Sequence, residues 1–86
     1  MKYTVITKEW SDRINGNSYC SVRITNNETN EVVALPFEYG YGSYGNQRAC
    51  KILRKNGEVF YSLGDIADVH KIAGCLKRDV IAWGIL

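Results

Sequence analysis

Apolar and polar residues alternate cleanly over positions 18–25, with Cys20, Val22 and Ile24 on one face and Ser21, Arg23 and Thr25 on the other. A period of two predicts a half-buried strand. Residues 2–10 carry Tyr3, Val5, Ile6 and Trp10 among threonines and lysines, a β-rich composition. Both alternating faces of that segment hold apolar residues, so the pattern does not choose the buried one. Between the two segments, Asn15-Gly16 signals a turn. A polar connection, Asn26–Asn30, suits a second hairpin. Beyond it Val33, Leu35 and Phe37 alternate with Val32, Ala34 and Glu38. Pro36 has no N–H to give to a ladder, which predicts an edge strand or a strand end.

The period changes from Ser43 onward. Ala49, Ile52 and Leu53 fall on one helical face with Cys50 at its border, and Gln47, Arg48, Lys51, Arg54 and Lys55 cover the rest. Ser43 stands where an N-cap belongs, and Asn56-Gly57 forms a stop after two basic residues. Val59-Phe60-Tyr61 reads either as a short strand or as an apolar connector, and Asp65 to Val69 is ambiguous, one helical turn being one reading. Val69 to Leu76 reads as extended, and 77–83 as a short closing helix with Val80 and Trp83 turned inward.

These elements predict an α+β fold: a three-stranded antiparallel meander with one amphipathic helix packed on it, completed by a C-terminal strand and a short helix. One domain spans residues 1–86. Its expected core joins Cys20/Val22/Ile24, Val33/Leu35/Phe37 and Ala49/Ile52/Leu53.

Composition narrows the classes. A chain of 86 residues, 45% hydrophobic, is too apolar to be disordered. A chain of this size buries roughly 60–65% of the surface its unfolded form exposes. The net charge of +2 excludes an acidic DNA mimic and does not by itself name a nucleic-acid partner. Cys20, Cys50 and Cys75 are odd in number and lack a Cys-x-x-Cys pair, which fits reduced thiols rather than a disulfide framework. The first residues lack the apolar core of a signal peptide, and no run is long enough to span a bilayer. The expected setting is the cytoplasm.

The stretch from Leu35 to Asn46 holds three of the six tyrosines and three of the eight glycines. Within it Gly40-Tyr41-Gly42-Ser43-Tyr44-Gly45 matches G-x-G-x-x-G, with Asp65 downstream where a ribose partner would be sought. An antiparallel meander is the wrong context for that motif, and the tyrosines crowd it, so a tight turn is the better reading. Cys20, Cys50, Cys75 and His70 make up a zinc set in number but not in spacing. His70 lies near Ser62, Asp65 and Asp68 in sequence only, which is no triad. Neither catalysis nor a cofactor nor a metal is expected.

Binding is the remaining chemistry. Tyrosine and arginine dominate interface hot spots. Arg13, Tyr39, Tyr41, Tyr44 and Arg48, in the first loop and at the strand-to-helix junction, are therefore the candidate contacts for a partner protein. Tyr39 and Tyr44 are equally well read as core. The alternative is a nucleic acid, with Arg48, Lys51, Arg54 and Lys55 on backbone phosphates and the tyrosines stacked on bases. The edge strand near Pro36 offers a place for a second copy of the chain.

Three blocks, Asn15–Ile24, Leu35–Tyr44 and Cys75–Gly84, resemble small proteins encoded by bacteriophages, and span a third to a half of the chain. The resemblance carries no catalytic motif. It implies the cytoplasm of an infected bacterium and an accessory protein that binds and disables or redirects a host protein, such as a defence-system component.

Overall fold

The computed structural model describes residues 1–86. The two clearest β segments form a long hairpin, β1 (Tyr3–Asp12) and β2 (Asn17–Asn26). Its turn is held by Asp12, whose Oδ1 accepts the N–H groups of Ile14 (3.0 Å) and Asn15 (3.2 Å). In the second turn Asn26 Oδ1 accepts from the N–H groups of Glu28 and Thr29. The short polar side chain thus substitutes for a backbone turn in both connections. β3 (Val32–Tyr39) completes the antiparallel meander.

Helix α1 (Tyr44–Lys55) follows, then a 3₁₀ turn over Leu63–Asp65, β4 (Ala67–Ile72) and helix α2 (Lys77–Trp83). The sheet is mixed and four-stranded, in the order β3-β2-β1-β4, and β4 runs parallel to β1. The expected α+β class and closing helix are present. The C-terminal strand, however, runs from Ala67 to Ile72 rather than from Val69 to Leu76, and joins the open side of the meander. The helical turn read at 65–69 lies earlier, at Leu63–Asp65. Val59-Phe60-Tyr61 is a connector.

A helix covers each side of the sheet, which settles the ambiguity of β1. Its odd positions Tyr3, Val5 and Thr7 are buried on the α1 side. There they join Val22, Ile24, Leu35, Ala49, Leu53, Leu63 and Ala67 in the main core. The even positions face α2: Lys8 Nζ lies 4.3 Å from the Trp83 ring centroid and Lys77 Nζ 5.1 Å from that of Trp10. With one face buried and the other half-covered by α2, both faces of β1 carry apolar residues, and the strand gives no clean alternation.

One expected face is wrong. Val22 pairs with Leu35 but Cys20 with Glu38, so Ser21 alone stands opposite Pro36 and Phe37. This β-bulge reverses the side-chain alternation beyond Leu35. Leu35 is buried under α1, Val33 is 40% exposed, and Phe37 turns to the α2 side against Tyr19. β3 is nonetheless an edge strand, as Pro36 requires.

Close approaches fix both helices. A Cβ on Gly45 would lie 2.6 Å from Thr7 Oγ1, so only glycine lets the first turn of α1 sit on β1. The same helix ends as the Asn-Gly signal predicts. Gly57 takes φ +94°, its N–H reaches Arg54 O, and the Glu58 N–H reaches Leu53 O. Ser43 occupies the N-cap position, but its Oγ accepts from Gln47 Nε2 at 2.9 Å and caps no backbone N–H. On the other side Gly84, just past α2, packs on the bulge, where a Cβ would meet Pro36 Cα at 2.8 Å. Ser21 Oγ donates to Val80 O at 2.5 Å beneath that helix. No helix is long and apolar enough to cross a membrane.

Candidate functional site

On the α2 side of the sheet, the end nearest the first turn carries a continuous set of aromatic rings. Trp10 and Tyr19 are cross-strand partners, with centroids 5.6 Å apart. Phe37, delivered to this side by the bulge, stacks on Tyr19 at 5.0 Å and 4° and lies 6.3 Å from Trp10. Tyr39 meets Tyr19 edge-on at 5.7 Å, and Tyr41 meets Tyr39 edge-on at 6.3 Å. Burial is graded along the set. Trp10, Tyr19 and Phe37 are half-buried, whereas Tyr39 is 54% and Tyr41 66% exposed. Such pairs contribute about 0.5–1.5 kcal/mol each beyond burial, which makes the inner rings a rigid support for the outer two.

The expected contact residues do not all gather here. Tyr39 and Tyr41 do. Arg13 lies at the neighbouring turn and lines a cleft of about 460 Å3 with Trp10, Ser11, Gly74, Cys75 and Leu76. Tyr44 belongs to the other side of the sheet. It is half-buried, its ring lies where a side chain on residue 40 would stand, and its Oη donates to Glu38 Oε1 at 2.5 Å. That hydrogen bond holds the Tyr44 phenol above its ordinary range.

Arg48 needs a fuller correction. Its side chain is only 10% exposed and is occupied within the fold. The guanidinium pairs with Glu38 Oε2 at 3.1 Å and donates to Pro36 O at 2.8 Å and Cys20 O at 3.3 Å. The carbonyls it serves belong to the irregular stretch of β2 and β3, where the bulge interrupts regular pairing. Arg48 is a brace for the bulge, and is withdrawn from both a protein contact and a phosphate contact.

The rest of the basic set, Lys51, Arg54 and Lys55, is exposed on α1. The Arg54 guanidinium lies 4.4 Å from the Phe60 ring centroid. These residues and the Tyr39–Tyr41 pair occupy opposite sides of the sheet, so the basic helix and the exposed tyrosines do not form one surface.

The other candidate chemistries disperse. Cys20 is buried, Cys75 Sγ lies 3.3 Å from Ile72 O, and no three His, Cys, Asp or Glu side chains come together as a metal site. Asp65 Oδ2 accepts the Ser62 N–H at 2.8 Å in a capping box of the 3₁₀ turn, and His70 is exposed on β4. In the G-x-G-x-x-G segment, residue 40 makes room for Tyr44 and residue 45 for Thr7, which are packing roles.

Sequence reasoning missed Trp10, Tyr19 and Phe37 as members of the surface. Counting outward from Asn15-Gly16 as a two-residue turn would set Trp10 opposite Ser21; the turn instead spans the four residues 13–16, which sets Trp10 opposite Tyr19. The side of Phe37 depends on the bulge. No protein-family model matches the chain, and comparison with curated proteins and with solved structures likewise finds no match.

Proposed function

We propose that this chain is a non-catalytic binding module that docks a partner protein on its aromatic end face. The observation that carries the reading is the exposed Tyr39–Tyr41 pair held on a stacked Trp10–Tyr19–Phe37 base. Preorganised tyrosines lose little side-chain entropy on binding and act as hot-spot anchors. In the setting implied by the phage resemblance the partner is a host protein, a defence-system component being one example. The mechanism is occlusion of a partner surface.

The inner rings of this face are closed to a nucleic acid. Base stacking needs a free flat face. Here Tyr19 and Phe37 turn their faces to each other, which leaves the exposed Tyr39 and Tyr41 as the contact rings. The alternative, a nucleic acid on Lys51, Arg54 and Lys55 of α1, lacks both Arg48 and the exposed Tyr39–Tyr41 pair.

The test is a pull-down from bacterial lysate with wild type and a folded Tyr39→Ser/Tyr41→Ser variant, each with and without nuclease. A stoichiometric protein that survives nuclease and is lost with the tyrosines supports the reading. Equal capture by both chains overturns the surface, and capture abolished by nuclease moves the function to α1.

A further inference from the structure

The sheet has two unpaired edges, β3 and β4. They are not equivalent. β3 is interrupted by Pro36 and the bulge, both of which discourage edge-to-edge pairing. β4 is a regular strand, Ala-Asp-Val-His-Lys-Ile, without proline, glycine or irregularity in its register with β1.

The free hydrogen-bonding groups of β4 can be assigned. Tyr3 pairs with Ala67 in the parallel register, and the Tyr3 N–H donates to Ile66 O at 3.1 Å. In a parallel ladder one residue bonds the two that flank its partner. Even positions of β4 therefore turn their main-chain groups to β1. Those of Ala67, Val69 and Lys71 point outward.

We propose that β4 is a self-association edge, pairing antiparallel with β4 of a second copy about a two-fold axis through Val69. This surface is separate from the aromatic face and does not depend on the function proposed for it. Val69 then bonds its own copy, and Ala67 bonds Lys71 of the other chain, so every outward group in the paired stretch has a partner. The intervening positions place Asp68 of each chain opposite His70 of the other. These are non-hydrogen-bonded positions, where side chains come closest. Both residues are exposed. An imidazole N–H donating to a carboxylate thus occurs twice, by symmetry.

Side-chain pairing favours this register. Sliding the axis to residue 68 sets Asp68 against its own copy, and sliding it to residue 70 sets His70 against its own copy. Of the three, the axis at Val69 pairs a donor with an acceptor. The pairing extends the four-stranded sheet continuously into a second copy and leaves Tyr39 and Tyr41, near the opposite edge, free in both.

Sedimentation velocity over a concentration series tests the proposal with the full chain. Wild type is expected to pass from the 9.7 kDa monomer to twice that mass as concentration rises. His70→Asp sets like charges opposite each other twice and is expected to weaken association about tenfold. The swap Asp68→His/His70→Asp restores the complementary pairs and is expected to recover it. Circular dichroism checks that each variant is folded. A wild type that stays monomeric throughout overturns the proposal, as does a His70→Asp variant that associates as tightly as wild type. A swap no better than the single variant overturns the register.

Discussion

Arg23, from the middle of β2, closes the C-terminal end of the helix that contains Trp83. Its Nε donates to Trp83 O at 2.8 Å, its Nη2 reaches Ala82 O and Ile85 O, and its guanidinium lies 4.2 Å from the Trp83 ring centroid. A seven-residue helix has little stability of its own. A cation on its terminal carbonyls satisfies groups that would otherwise be orphaned and complements the helix dipole.

Removing this clamp should loosen α2 before the rest of the fold. Arg23→Ala is expected to cost about 2 kcal/mol, the range for hydrogen bonds to a charged group in a partly buried setting. Urea unfolding measures the loss. In a Trp10→Phe background, Trp83 fluorescence, reporting on a ring whose Nε1 donates to Ile6 O at 2.9 Å, should change at lower urea than far-ultraviolet circular dichroism.

Thr7 and the residue it touches on α1 give a paired prediction. Thr7 Oγ1 is buried and has no hydrogen-bond partner. Thr7→Val keeps the shape, removes the orphaned hydroxyl, and is expected to stabilise by about 1 kcal/mol. Gly45→Ala should do the reverse. The gain in helix propensity of about 1 kcal/mol is outweighed by overpacking against a stiff β-branched side chain, at about 1–3 kcal/mol. Thermal denaturation of Gly45→Ala in a Thr7→Ala background, where the clashing atoms are gone, should recover most of the loss.

Stability should fall on the alkaline side. Burial pushes the Cys20 thiol above its ordinary range, with Arg48 pulling part of the way back. Burial, with Glu58 beside it, raises the Tyr3 phenol, and the bond to Glu38 raises that of Tyr44. In each case the folded chain holds a proton at a pH where the unfolded chain has released it. The unfolded state therefore binds fewer protons, and stability declines with pH. The contribution is intact below the unfolded thiol value of about 8.5 and is lost as pH rises through it and then through the phenol range near 10. Urea midpoints across this range should show the decline, and a Cys20→Ala variant should begin it later, in the phenol range.

The aromatic set should separate stability from binding. Tyr41→Ser is expected to change stability by no more than about 0.5 kcal/mol, as for other exposed positions. Tyr19→Ala removes the ring that touches Trp10, Phe37 and Tyr39 and is expected to cost about 2–3 kcal/mol. Comparing the two by thermal denaturation and by partner capture distinguishes the anchor from its support.

Elements dominated by local pattern were legible in the sequence: the hairpin around Asn15-Gly16, α1 with its Asn56-Gly57 stop, and the inward side of Val80, which is fully buried. What was illegible depends on distant partners. The side of Phe37 rests on one extra residue opposite Ser21, which no alternation displays. Six residues with period two announce a strand but not that its neighbour is β1, sixty-four positions away, nor that the two run parallel. Arg48 reads as a solvated helix residue because the carbonyls that claim it belong to the bulge. Tyr39 and Tyr44 read alike from sequence, and separate only because they stand on opposite sides of the sheet.

The place of β1 at the centre of the sheet has a consequence for synthesis. The first strand to emerge can zip to β2 and β3 by short, local turns, but its other flank stays open until residues 67–72 have been made. Non-local parallel pairing is intrinsically slow, and an open flank in a nascent chain is where foreign strands and chaperones bind. Of the four strands, the first to be made is thus the last to be enclosed, and it stays open on one flank until β4 has followed.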